Sequence, residues 1–502
     1  MVDTTAGPAA SKPLYSNAYK GSVLALLLAA YTFNFIDRTI ISTIGQAIKV
    51  DLQITDTQLG LLGGLYFALL YTILGIPIAR LAERKSRVNI VTWSLVIWSG
   101  FTALCGMAQN FVQLAILRFG VGIGEAGCSP ASHSLISDYY EPKKRATALS
   151  IYSFGIPLGT MFGAVAGGWL AQEFSWRIAF ILVGLPGIIL AVIFKMVVKE
   201  PPRGHSETKE VLPEDVAPVL ADTPKPFSLI EEFRELWVVT KVLFTKWPVL
   251  HMVLGITIAS FGSYGSGAFV PPYFVREFGL GLAQVGLITG LIGGFSAGVG
   301  TLVGGFLADW AAKRSAKWYA LIPAFGLLIA TPIYIAAYLQ TSWQMTAIIL
   351  LVPGIFHYTY LAPTFGVVQN SVEPRRRATA TALLFFFLNL IALGGGPVFT
   401  GWLIDHLAQY NFNTPDASGV ISALFNSFGA AGPLDFAATC PGGVAPKGSP
   451  AELAAACSDA LSQSTRQGII ITLCAYAWAG VHYLLAAIGL VRHMGERAAA
   501  QA

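Results

Sequence analysis

The chain has 502 residues, of which 54% are apolar and only 12% charged, with a formal net charge of +5 and a mean hydropathy of +0.62. A soluble domain carries about 25% charged residues, so this composition excludes an ordinary globular protein and places most of the chain in lipid. The positive balance comes from loop residues on one side of the membrane and makes no case for nucleic acid.

A hydrocarbon core of roughly 30 Å needs about 20 apolar residues per helix. Twelve segments meet that requirement: 21–44, 57–82, 88–108, 110–137, 144–171, 176–199, 248–275, 282–312, 317–339, 342–371, 376–408 and 466–493. The polar tail 1–20 carries Lys12 and Lys20 and lacks an apolar core before a cleavage site. The first segment is therefore expected to be retained.

Segment 1 contains Asn34, Asp37 and Arg38, and segment 4 contains Arg118 and Glu125. Ionisable groups at membrane depth are expensive, so they normally face a partner or a wet cavity and mark a path for substrate or protons. Arg118 and Glu125 stand seven residues apart, close to two turns and hence on one face. At about 1.5 Å per residue, Asp37 and Arg118 both lie roughly 10–12 Å below the outer surface, with Glu125 about 10 Å deeper. This places Asp37 beside Arg118 and makes Glu125 the deepest acid, suited to carrying a proton. The alternative is a permanent ion-pair cluster that fixes the packing of segments 1 and 4. Arg38, near a helix end, can instead snorkel outward.

Basic residues cluster between alternate segments: Arg84, Lys85 and Arg87, then Lys143, Lys144 and Arg145, then Lys313, Arg314 and Lys317, and finally Arg375, Arg376 and Arg377. The loops on the other side read as short and nearly uncharged. The positive-inside bias puts both termini in the cytoplasm, in a multi-pass protein of the inner (plasma) membrane. The linker 200–247 falls on the same side, with an interfacial helix expected around 228–243 on Ile230, Phe233, Leu236 and Trp237.

The second half has no matching buried charges. Segment 7 offers Ser260, Ser263, Tyr264 and Ser266, and segment 10 offers His357, Tyr358, Tyr360 and Thr364. Arg38, Asn34, Tyr264, His357, Tyr360 and Thr364 are the substrate-binding candidates, although polar residues also hold membrane helices together. Phe385, Phe386 and Phe387 in segment 11 add apolar surface, so that a charged half faces an uncharged, aromatic one. Cys105, Cys128 and Cys474 read as small buried hydrophobes. Cys440 and Cys457 share the outer loop 409–465, either as a disulfide or as two thiols.

Two strings recur. Glu141-Pro-Lys-Lys-Arg-Ala-Thr-Ala148 returns as Glu373-Pro-Arg-Arg-Arg-Ala-Thr-Ala380, and Ala79-x-x-x-Glu83-Arg84 returns as Gly305-x-x-x-Asp309-Trp310 at nearly the same spacing. A duplicated six-helix unit follows: bundles 21–199 and 248–493, the linker 200–247 between them, and tails 1–20 and 494–502. Parallel six-helix repeats are how the major facilitator superfamily is built. Residues 79–88 resemble its loop signature, and Arg118-x-x-x-Gly122-x-Gly124 resembles its fourth-helix signature. An acid at such a helix end can hold nearby arginines and close a gate by charge pairing. Glu83, Arg84, Arg87, Asp309, Arg145 and Arg377 are accordingly expected to gate the cytoplasmic side.

Within that superfamily the chain resembles the Spinster family of lipid transporters. The resemblance rests on Asn34-Phe-Ile-Asp37-Arg38, Gly124-Glu125-Ala126, Ser134-Leu-Ile-Ser-Asp138-Tyr-Tyr140, Tyr152-Ser-Phe-Gly-Ile-Pro157-Leu-Gly159 and Glu200-Pro-Pro-Arg-Gly204. It implies an all-α membrane protein of two pseudo-symmetric bundles that exports lysophospholipid or sphingosine-1-phosphate-like lipids by alternating access. Proton coupling would run through Asp37, Glu125 and Arg118. A carrier of small organic anions is the competing reading. A monomer in the bilayer is expected, with no cofactor and no metal. An enzyme is not expected: Gly122-x-Gly124-x-x-Gly127 lacks a preceding strand, Gly294-Phe-Ser296-Ala-Gly298 lacks its turn, and Ser129, His133 and Asp138 do not converge.

Overall fold

The computed structural model describes residues 14–203, 206, 229–373, 376–415, 419–428 and 432–501. Twelve helices are long and apolar enough to span a membrane, numbered here as spans 1 to 12. They are Asn17–Thr43, Asp56–Gly75, Arg87–Cys105, Phe111–Tyr139, Thr147–Glu173, Trp176–Val197, Trp247–Phe278, Leu282–Ala312, Trp318–Tyr338, Trp343–Asn370, Thr379–Asn413 and Ala451–Ala487. All twelve apolar segments thus become helices, as a chain in lipid must satisfy its backbone internally.

Span 12 departs from expectation at its start. It begins at Ala451, so its first turns belong to what reads as the loop 409–465. The linker contributes a helix at Leu229–Thr245, with Trp237 on its exposed face. The disulfide Cys440–Cys457 is formed. Cys105 and Cys128 are buried, whereas Cys474 is exposed on span 12, contrary to the buried reading.

The two six-helix halves meet along two seams. Span 2 packs on span 11, where a Cβ added at Gly60 would come within 3.0 Å of the Pro397 and Val398 backbone. Span 5 packs on span 8, where Gly286 approaches Ala164 and Gly168 approaches Leu282 just as closely. Only glycine permits backbones to come this near. Both seams end partway along: Gly75 and Gly298 have nothing within 4 Å. Both seams therefore close at the end opposite the basic loops (the far side) and part toward the basic side.

Candidate functional site

Asp37 and Arg38 on span 1 point at different neighbours because successive helical residues turn by about 100°. Arg38 donates from Nε to Oε2 of Glu125 at 2.8 Å, with the glutamate side chain fully buried. Its guanidinium also lies 4.6 Å from the Tyr71 ring centroid and 4.9 Å from that of Phe67. Arg38 therefore turns inward, and the alternative of outward snorkelling left open by its place near a helix end does not hold. Helical side chains lean toward the N-terminus, which here carries the guanidinium down to the level of Glu125.

Arg118 is 1% exposed and donates from Nε to the Leu62 carbonyl at 3.1 Å, beside the Phe67 ring. Asp37 is 2% exposed and within electrostatic reach of Arg118, Glu125 and Arg38, next to Thr102 of span 3. No direct ion pair joins Asp37 to Arg118 among the described residues, so their expected adjacency holds only at longer range. Glu125 likewise pairs with Arg38 and not with Arg118, since two turns separate the latter from it and the helix is interrupted at Ala126 and Gly127. Asn34 Oδ1, Arg118 Nη1 and Glu125 Oε1 have no hydrogen-bond partner among the described residues. Glu125 thus has one oxygen held and the other open to a proton or a donor.

Across the interface, Tyr264 of span 7 is 41% exposed and lies within electrostatic reach of Arg38 and Tyr71. Beyond it sits an aromatic cluster. His357 Nδ1 is 2.8 Å from the Tyr334 hydroxyl, and its ring stacks on Tyr476 with centroids 4.9 Å apart. Its Nε2 is buried with no partner among the described residues. Tyr360 and Thr364 are differently employed: the Tyr360 hydroxyl meets Ser260 Oγ at 3.0 Å and Thr364 Oγ1 meets the Tyr483 hydroxyl at 2.7 Å. Both are wholly buried, consistent with the helix-holding alternative open to them from sequence.

On the basic side, the bonds described for Arg87, Asp309, Arg145 and Arg377 each stay within one half. Arg87 is 1% exposed and forms an ion pair with Asp138, with further bonds to Glu200 Oε1 at 2.7 Å, Ser134 Oγ at 3.0 Å and the Pro201 carbonyl at 2.9 Å. In this form Arg87 clasps spans 3 and 4 to the segment leaving span 6, all within one half. Asp309 is exposed and accepts from the Tyr319 hydroxyl at 3.2 Å. Arg145 donates to the Ser137 carbonyl at 2.8 Å and Arg377 to Asn370 Oδ1 at 3.4 Å. Arg84 closes the helix Leu65–Arg84, and the Glu83 side chain lies outside the described residues.

Sequence reasoning missed the far side, whose loops read as nearly uncharged. There Arg276 at the end of span 7 grips Asp56 at the start of span 2 through two bonds, of 2.6 and 3.1 Å. It also reaches Gln46 Oε1 at 2.7 Å and Thr465 Oγ1 at 2.8 Å. Lys49 Nζ lies 2.5 Å from Asp56 Oδ2. Burial pulls the Lys49 ammonium below the ordinary lysine range, with Asp56 opposing that pull. Asp405 of span 11 accepts from the backbone N–H of Asp56 and Thr57, at 2.8 and 2.7 Å, capping the first turn of a helix from the other half. The disulfide-bonded loop covers this network: Gly443, at φ +83°, leaves no room for a side chain between Lys49 and Leu461. The missed signal was a charge at each span boundary where the neighbouring loops carry few.

A family model described as Major Facilitator Superfamily matches residues 27–325 and 252–496. The chain is 31% identical over 388 residues to an MFS-type efflux pump of Mycolicibacterium smegmatis, covering 77% of this chain and 85% of that one. It is 26% identical over 415 residues to a probable L-galactonate transporter of Escherichia coli, covering 80% and 88%. Among solved structures, it is similar to a bacterial homolog of the human lysosomal transporter Spinster in an inward-facing, unoccupied conformation. The TM-score is 0.79 at 32% identity, over 95% of this chain and 99% of that one.

Proposed function

The chain belongs to the major facilitator superfamily as a Spinster-like membrane transporter, and from that premise we propose that it moves amphipathic lipids across the membrane, coupled to protons, by alternating access. The observation that carries the reading is the pairing of two unlike walls. The N-half presents Arg38, Glu125 and Asp37, and the C-half presents Tyr264, His357 and Tyr358 among aromatic rings. A lipid with a charged head and an apolar tail matches both at once. Tyr264 stands between them, close to Arg38.

Coupling is assigned to the Arg38–Glu125 pair, with Asp37 and Arg118 in electrostatic reach. In this arrangement Arg38 neutralises Glu125. An anionic headgroup competing for Arg38 releases the carboxylate, and a proton then balances its charge, because an unpaired buried charge is far costlier than a protonated one. Proton and lipid occupancy are thereby linked through one guanidinium. We take the basic loops to face the cytoplasm, which assigns both termini to the inside of an inner-membrane monomer, and the parted seams support reading this as an inward-open form.

A second reading, transport of small organic anions, is favoured by the 26% identity to a probable L-galactonate transporter and by Arg38 as a carboxylate partner. Proteoliposomes separate the two. Labelled lysophospholipid should move faster under an imposed pH gradient, with sugar acids failing to compete. Competition by a sugar acid, with no lipid movement, would move the assignment to the anion reading.

A further inference from the structure

The loop between spans 11 and 12 contains a helix, Val420–Ser427, with two unlike faces. Ala423 and Ser427 are buried, and Ala423 joins a small core with Leu403, Leu407, Tyr410, Leu424 and Ile471. Ile421, Phe425 and Phe428 point the other way, at 72%, 72% and 63% exposure. No charged residue occurs from Gly419 to Phe428.

The partners of the inner face set its depth. Leu403 lies ten residues before the end of span 11, about 15 Å along the axis, and Ile471 lies twenty residues into span 12, inside its apolar part. The loop therefore folds back beside membrane-spanning surface and does not project from it. Its outer face continues directly into that surface: the Phe428 ring is 6.4 Å from Trp402 and 5.0 Å from His406. Trp402 in turn borders an apolar groove of about 320 Å³ at the seam of the halves, lined by Leu65, Gly394, Val398 and Phe399. His406 stacks between Trp402 and Phe428, and its Nε2 has no partner among the described residues.

We propose that the helix Val420–Ser427 is embedded in the far-side leaflet and that, with span 11, it walls an acyl-chain site at the seam between spans 2 and 11. The occupant is the tail of a membrane lipid, with His406 as the polar group nearest its ester. Ile421, Phe425 and Phe428 stand at spacings of four and three, the stripe by which a helix lies in an interface. The site stands apart from the transported substrate, since it needs only bulk lipid and the twelve-span fold.

The test uses the full chain in phosphatidylcholine vesicles in which a fraction of the lipid carries a photoreactive diazirine in its tail. Illumination should label peptides covering 394–402 and 420–428. A nitroxide on Phe425→Cys, in a Cys474→Ala background, should collide with oxygen in preference to a water-soluble nickel chelate, as a control on Phe399→Cys does. Changing Ile421 and Phe425 together to Glu should abolish tail labelling of 420–428 while the transporter still purifies folded. Preferential collision with the nickel chelate at Phe425, or crosslinking of that face to a second copy in place of lipid, would overturn the proposal. Because the probe is bulk phosphatidylcholine, either result is independent of whether lysophospholipid is transported.

Discussion

Changing Arg276→Met tests whether the far-side network holds that side shut. Arg276 donates to both oxygens of Asp56, to Gln46 and to Thr465, and Asp56 is fully buried. Removing one partner of a buried pair costs about 3–5 kcal/mol, because the other charge is stranded. Here Lys49 stays on Asp56 Oδ2 at 2.5 Å, so the loss should be nearer that of a single charge-assisted hydrogen bond, about 2–3 kcal/mol. Opening the far side would hydrate all these groups, so the penalty falls on the closed form alone. At about 1.4 kcal/mol per tenfold, the closed-to-open ratio should fall roughly 30- to 150-fold. The assay is the distribution of distances between spin labels on Gln109→Cys and Glu452→Cys, which lie on the far side of opposite halves. A longer-distance population should appear in the variant, and Asp56→Asn should produce a similar shift. An unchanged distribution, in a protein that melts like wild type, would refute the idea that these charges set the equilibrium.

Glu125→Gln should leave lipid affinity within about threefold of wild type yet remove its dependence on pH, since the amide cannot exchange a proton while still accepting from Arg38. Identical pH profiles for variant and wild type would pass the coupling role to Asp37. The Glu200 clasp has a definite pH window. Burial raises its carboxyl, but the Val88 N–H, Arg87 and Ser86 outweigh that and hold it below the usual 4.5. A depressed carboxylate stabilises the fold above its unfolded pKa and loses that contribution as pH falls through the folded value. Wild type should therefore melt above Glu200→Gln at neutral pH, and the difference should shrink below about pH 4; a gap that persists there would show that charge is not what Glu200 supplies. Gly286→Val puts side-chain atoms where Ala164 already sits, so overpacking of about 1–3 kcal/mol should push spans 5 and 8 apart and open the far side. Far-side spin-label distances that match wild type would mean this seam has slack.

Most of the fold was legible in one dimension because the bilayer imposes a one-dimensional rule. Each crossing needs a long apolar helix, and the doubling of Glu141–Ala148 as Glu373–Ala380 exposes the two halves without any knowledge of contacts. The same rule marked Asp37, Arg38, Arg118 and Glu125 as exceptions, since a charge inside an apolar run is visible however the helices pack. Partnership was not visible. Whether Glu125 meets Arg118 or Arg38 depends on helix rotation, on the interruption after Glu125 and on the lean of a long side chain. Arg87 had the charge of a gate, but its partners Asp138 and Glu200, distant in sequence, lie in its own half. The far-side network lay at span ends, where charges ordinarily meet water, and only the closing of the two halves buries Lys49, Asp56 and Arg276 together. The chain's own periodicity and charge thus determined which residues enter the membrane and in what order. Which of them touch was decided by the packing of one half against the other, because ion pairs and hydrogen bonds are set by distances of a few ångströms that no spacing along the sequence encodes.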